Sequence, residues 1–300
     1  MSDDDAEGTD RSGLVKTITA IALNVGVLTA LLVYLGWARS DRMADELGID
    51  EAILAMSAQD YLLRSVQAVF VPILAAGLVG LAWFGFDRWW TVRRSTRGDD
   101  DLIVRGVARW AWLLAVGVIL LGVALGFMGF AETFVAGPLV CATGLLLLMY
   151  GAHLRSTLPG AVRSSSLAET VFRGATALPV AVGVFWSATN YAVVEGAVLA
   201  DGYEGRIKNL PGVEVDSSHP LDISAPGVRA LCHRDGETVR YRYTGLRLLD
   251  RTGGNYFFIS DGWTDEYGVV VALPTDGEAT RFTFVRDPGG RRDDGAYTPC

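Results

Sequence analysis

Five apolar blocks fill the first two thirds of this chain, and each is long enough to cross a bilayer. A hydrocarbon core of about 30 Å takes roughly 20 apolar residues of helix. Backbone amides and carbonyls find no water there, so each block must satisfy its own hydrogen bonds as a helix. From about Ala200 the pattern changes to short, strand-like alternation. The expected fold is an α-helical membrane protein: five transmembrane helices followed by a small antiparallel β domain, a barrel or a sandwich. The expected divisions are a disordered cytoplasmic N-terminus (1–16), a transmembrane domain (17–195), a β domain (200–286) and a flexible tail (287–300). The spans are expected at about 17–37, 58–86, 107–130, 134–153 and 174–194.

Composition narrows the function classes. Half of the 300 residues are hydrophobic and the formal charge is −8. That balance excludes global disorder and argues against nucleic acid, which requires basic patches. Lys16 and Lys208 are the only lysines, and the remaining basic residues are Arg, a bias that fits a GC-rich genome. The N-terminus is acidic (Asp3, Asp4, Asp5, Glu7, Asp10) and lacks the basic start of a cleaved signal peptide. The first block therefore reads as an uncleaved anchor.

Orientation follows from Lys and Arg near the span ends. Arg88, Arg93, Arg94, Arg97 and Arg105 lie between blocks two and three, and Arg155, Arg163 and Arg173 flank the next inner connection. The alternate side holds fewer: Arg39, Arg42 and Arg64, none between blocks three and four, and Arg206 and Lys208 after block five. This asymmetry predicts a cytoplasmic N-terminus and an extracytoplasmic C-terminal domain in the cell membrane. Ser57 with Asp60, and Ser166 with Glu169, are capping signals for helices two and five. Trp37, Trp83, Trp89, Trp90, Trp110 and Trp112 stand near span ends, where indole suits the headgroup layer.

Polar groups within or beside the spans are the candidate sites, because they are costly in lipid. Asn24 and Gln67 are candidates for an intramembrane polar bridge. Asp60 and Arg64 share a helix face at i, i+4 and are expected to pair. With Arg39 and Glu132 they form a candidate outer vestibule, or the contact between bundle and β domain. The first outer loop carries Met43, Leu47, Ile49, Ile53 and Leu54 among acidic residues. It is expected to lie on the membrane or on the β domain. Gly122 and Gly126 form a G-x-x-x-G pattern that allows close helix packing, within the chain or in a homo-oligomer.

In the tail, Val239, Tyr241 and Tyr243 alternate with Arg240, Arg242 and Thr244. Gly245 is expected to form a bulge, Gly253-Gly254 and Asp261-Gly262 turns, and the stretches near 228–232, 256–260, 269–273 and 281–285 strands. Arg240, Arg242 and Arg247 make a candidate basic face. Cys141 reads as a core residue, and Cys232 with Cys300 as a candidate disulfide if the tail meets an oxidising space. Cys232 and His233 are adjacent, so on a strand they point to opposite faces and cannot readily share a metal. No catalytic, metal or cofactor signature is present, so no catalytic residue, metal ligand or cofactor is assigned.

Several strings carry a resemblance: Gly36-Trp37-Ala38-Arg39, Gly48-Ile49-Asp50 and Gln59-Asp60-Tyr61-Leu62-Leu63-Arg64-Ser65. In the tail they are Tyr241-Arg242-Tyr243-Thr244-Gly245-Leu246-Arg247-Leu248-Leu249, Tyr256-Phe257-Phe258 and Gly262-Trp263. Together these resemble an uncharacterised group of Streptomyces-type actinobacterial multi-pass membrane proteins with a C-terminal β domain. The resemblance implies the architecture and carries no activity. The expected role is non-enzymatic: binding, sensing or scaffolding, with the bilayer and an envelope component or another membrane protein as partners. The alternative is a subunit of an oligomeric channel or transporter, with a polar path past Asn24 and Gln67.

Overall fold

A computed structural model describes residues 4–97, 102–156, 166–277, 279–286 and 297–300; over parts of the helices, 4–23 above all, it describes the backbone alone. Five long helices come first: α1 (Asp4–Glu46), α2 (Ala58–Arg97), α3 (Leu102–Phe127), α4 (Ala131–Ser156) and α5 (Ser166–Arg206). Seven strands follow: β1 (Gly212–Ser217), β2 (Arg229–Asp235), β3 (Thr238–Thr252), β4 (Asn255–Ser260), β5 (Val270–Pro274), β6 (Thr280–Val285) and β7 (Thr298–Pro299). Four helical stretches are long and apolar enough to cross a membrane: Ala58–Arg93, Trp110–Phe127, Ala131–Ala152 and Thr170–Asn209. The first third of the apolar block in α1, 17–23, falls where side chains lie outside the described residues. Helix α1 starts at Asp4, inside the stretch expected to be disordered. Asp4, Asp5 and Glu7 suit the positive end of a helix, which favours that start.

The chain divides into two compact units, residues 65–194 and residues 1–64 with 195–300. The first is helical. Helices α3 and α4 form a hairpin that turns at Gly129, whose φ of 74° is open to glycine at little cost. Small residues line the seam. A Cβ on Gly122 would come within 2.6 Å of Cys141, and one on Gly137 within 3.0 Å of Gly126. Gly122 therefore faces α4 of the same chain, whereas Gly126 meets Gly137 through its backbone and has open space where its own Cβ would stand. Large apolar side chains cover the outside: Phe70, Leu81 and Phe84 on α2 are about two-thirds exposed, as is Leu120 on α3. Exposure of this extent suits lipid rather than water.

The second unit builds a curled sheet on helix ends. The strand order is β5-β4-β3-β1-β6, all antiparallel, with β2 on β3 and β7 on β2. Strands β4 and β6 are separated by two strands, β3 and β1, in that order. Yet the Phe258 and Phe282 rings lie 5.7 Å apart, and those of Tyr256 and Phe282 lie 4.9 Å apart. A flat sheet cannot bring them together, so the single hydrogen-bonded sheet curls over its own inner face. Val213, Val215, Tyr243, Leu246 and Phe258 fill its inside.

Strand β4 is apolar on both faces. Phe258 points into the curl, whereas Phe257 packs with Ala44 and Leu54, and Ile259 with Met43, Leu47, Ala200, Ile207 and Trp263. Burying each of these large side chains stabilises the unit by about 1.5–3 kcal/mol. The first loop thus lies on the β domain. Its 3₁₀ turn, Glu51–Leu54, presses Leu54 into the core and leaves Ile53 outside. Strand β1 lies just past Pro211, in a segment read without a strand from sequence. In the tail expected to be flexible, β7 pairs with β2, and residues 287–296 lie outside the described residues.

Candidate functional site

The densest polar assembly sits where the ends of α1, α2 and α5 meet β3. Helix α2 is capped reciprocally. The Asp60 carboxylate accepts from the Ser57 N–H and Oγ–H, both at 2.8 Å, and the Asp60 N–H donates to Ser57 Oγ at 3.3 Å. Asp60 is therefore occupied at the helix start. Arg64, expected to pair with it one turn later, instead forms an ion pair with Asp250 on β3. The cap gives the orphan amides acceptors, which a donor-only guanidinium cannot supply, and it leaves Arg64 to the Asp250 carboxylate.

Arg39, in α1, is 8% exposed and lies beside Glu195 of α5 at 3.4 Å. Its Nη1 also donates to the Arg64 carbonyl at 3.4 Å, so Arg39 and Arg64 are neighbours. Close backbone approach makes this geometry: a Cβ on Gly36 would overlap the Tyr61 carbonyl, and one on Gly196 the Arg39 carbonyl. Glu51, on the 3₁₀ turn, accepts from the Tyr61 hydroxyl and from Trp37 Nε1 at 3.3 Å. The resulting collar runs Glu195, Arg39, Arg64, Asp250, two adjacent arginines each paired with a carboxylate, with Glu51 held by two neutral donors. Removing one partner of such a half-buried pair leaves the other uncompensated, at a cost of about 3–5 kcal/mol at full burial and less here.

Acidic groups crowd the same loop. Asp41 is held above the ordinary carboxylate range, first by burial and then by Asp45, Glu51 and Asp50. Among the described residues no group of three or more His, Cys, Asp and Glu side chains is arranged to hold a metal ion.

The other sequence candidates fall elsewhere. Glu132 belongs to the helical unit, exposed in the first turn of α4. Asn24 is exposed on α1, and Gln67 is exposed on α2. Cys232 and Cys300 are joined by a disulfide, with Cα atoms 5.2 Å apart. The basic face is largely neutralised. Arg242 pairs with Asp216 at 2.6 Å, and Arg247 with Asp261 at 2.5 Å while also donating to the Lys208 and Leu210 carbonyls. Arg247 thereby clamps the chain after α5 to the sheet.

Three groups escaped sequence reasoning. Glu195 and Asp250 carry no local signal, being far in sequence from Arg39 and Arg64. Asn190 had one: Pro138 lacks an N–H, so it orphans the Phe134 carbonyl four residues earlier. Asn190 Nδ2 donates to that carbonyl at 2.8 Å, and Ser187 Oγ donates to the next, Val135, at 2.7 Å. Comparison of the chain with protein-family models, with curated proteins and with solved structures gave no match.

Proposed function

We propose that this chain is an integral plasma-membrane protein with five spans, α1 being the fifth, that binds or senses an extracytoplasmic partner through its C-terminal β domain. The observation that carries this reading is the collar. The sheet shares one compact unit with the ends of α1, α2 and α5, and two ion pairs, Arg39–Glu195 and Arg64–Asp250, lie inside that unit. A sheet held this firmly passes a load on its surface to three helices, which is the construction of a receptor or scaffold.

The test is photo-crosslinking in intact cells from a reactive group placed at the exposed Tyr267, together with ion flux from the purified protein in liposomes. A discrete crosslinked envelope component or membrane protein, with no flux, is the expected result. Ion flux that disappears in Asn24→Leu would replace this reading with the channel reading.

A further inference from the structure

We infer that the C-terminal strap, Tyr297–Cys300, is a thiol–disulfide latch over the edge of β2. Strand β3 occupies one side of β2, with register partners from Arg229↔Thr244 to Asp235↔Thr238. Among the described residues, the strand that covers the opposite edge of β2 is β7, through Leu231↔Pro299 and Cys232↔Thr298. An uncovered strand edge is a template for strand addition, so what covers it matters.

Among the described residues, the backbone cover is short and lightly bonded apart from its covalent bond. Pro299 has no N–H to give to the ladder. The Cys300 N–H donates to the Ala230 carbonyl at 3.3 Å, a long bond. Thr298, Pro299 and Cys300 are exposed, so burial contributes little. Tyr297 adds one side-chain anchor: the Arg242 guanidinium lies over its ring at 4.0 Å, and the His233 ring is 5.3 Å away. The ordering cost of an exposed four-residue strap outweighs so few bonds, and the Cys232–Cys300 bond is what keeps it in place.

Reduction opens only the strap. The ladders β1–β3, β3–β4, β4–β5 and β1–β6 do not involve β7, and the inner core lies among them. The exposed Cys300 is open to attack. A thiolate of an external dithiol attacks Sγ of Cys300, forming a mixed disulfide and releasing the Cys232 thiolate, which takes a proton. The second thiol of the reductant then displaces Cys300 as a thiolate, which is protonated in turn. Two electrons and two protons pass to the two cysteines, and the dithiol becomes a disulfide. The inference stands apart from the proposed binding role, since it concerns the strap and not a partner.

Hydrogen exchange by mass spectrometry on the full chain in nanodiscs tests it, oxidised and after dithiol treatment. Peptides covering 229–235 and 297–300 should exchange about tenfold faster or more once reduced, while those covering 246–260 keep their rates. Cys300→Ser, measured without reductant, should reproduce the reduced pattern; the substitution lies at an exposed terminus and leaves the core intact. Unchanged protection of 229–235 in both the reduced protein and Cys300→Ser would overturn the latch. Acceleration spreading through 246–260 would also overturn it, since the bond would then be a staple for the whole sheet.

Discussion

At the scale of single residues, a helix-breaking proline and a polar side chain explain one another. Pro138 leaves the Phe134 carbonyl without its usual donor, and Asn190 from α5 supplies one. In a segment apolar enough for a membrane no water replaces that bond. Asn190→Leu should therefore cost about 0.5–1.5 kcal/mol, the range for one interhelical hydrogen bond in lipid. Pro138→Ala restores the missing N–H. In that background Asn190→Leu should cost measurably less, as read from unfolding titrations in mixed micelles. Equal costs in both backgrounds would break the link. Proline and asparagine were both visible in the sequence, but their pairing across two helices was not. The same holds for Arg39 with Glu195 and Arg64 with Asp250, where only the capping box was local enough to read.

Asp41 makes a second prediction at this scale. Its carboxyl is held above the ordinary 3.8 by burial and by neighbouring carboxylates. A raised pKa means the folded protein binds the proton more tightly than the unfolded chain does. Stability from this group is full below 3.8 and falls as pH rises through the raised value. Asp41→Asn mimics the protonated form, so it should raise Tm at pH 7 and leave it unchanged below 3.8. Thermal unfolding in detergent at both pH values checks this, and a gain that persists in acid would exclude the mechanism.

At the scale of elements, β3 shows what periodicity can and cannot reveal. Its alternation was legible, and so was the glycine pair that follows it: Gly253 and Gly254 have φ of 57° and 77° and join β3 to β4. Gly245 was expected to bulge. One register shift falls there: Val213 pairs with Leu246 and Val215 with Tyr243, so β3 carries an extra residue across Thr244 and Gly245, and a second shift lies between Leu248 and Asp250. Gly245 has φ of 85° and sits against the Gly227 carbonyl, which a Cβ would overlap. Here β2 ends and β4 begins along the same side of β3. Gly245→Ala combines left-handed strain with a backbone clash and should destabilise the sheet by about 2 kcal/mol or more. Chemical denaturation followed by tryptophan fluorescence reads this, since Trp263 packs against β4 in the buried core. A loss below about 0.5 kcal/mol would mean that the backbone relaxes there at little cost.

Boundaries were harder to read than elements. Helices α2 and α5 continue past their apolar blocks to Arg97 and Arg206, because Arg and Glu are good helix formers that hydropathy ignores. Strand β7 has two residues, one of them proline, and so carries no period at all. Its position depends on a covalent bond between residues 68 apart.

At the scale of the molecule, the decisive quantity is the number of spans, because its parity sets which side of the membrane each end occupies. Among the described residues, four helices are long and apolar enough to cross. Helix α1 continues the same chemistry over its described part, where Val25, Val27 and Leu28 are more than half exposed. An exposed apolar face on a helix of 43 residues is stable in lipid and costly in water. Five spans follow if α1 crosses, and the two ends of the chain then face opposite sides. Epitope tags at Met1 and in the exposed loop at Tyr267 distinguish the cases in intact and opened cells. The Tyr267 tag should react in intact cells, and the Met1 tag only after the cells are opened, as the arginine asymmetry predicts. Two tags that react on the same side would make α1 a surface helix and reduce the count to four. The collar would keep its geometry in that case, since Arg39, Arg64, Glu195 and Asp250 all belong to one unit.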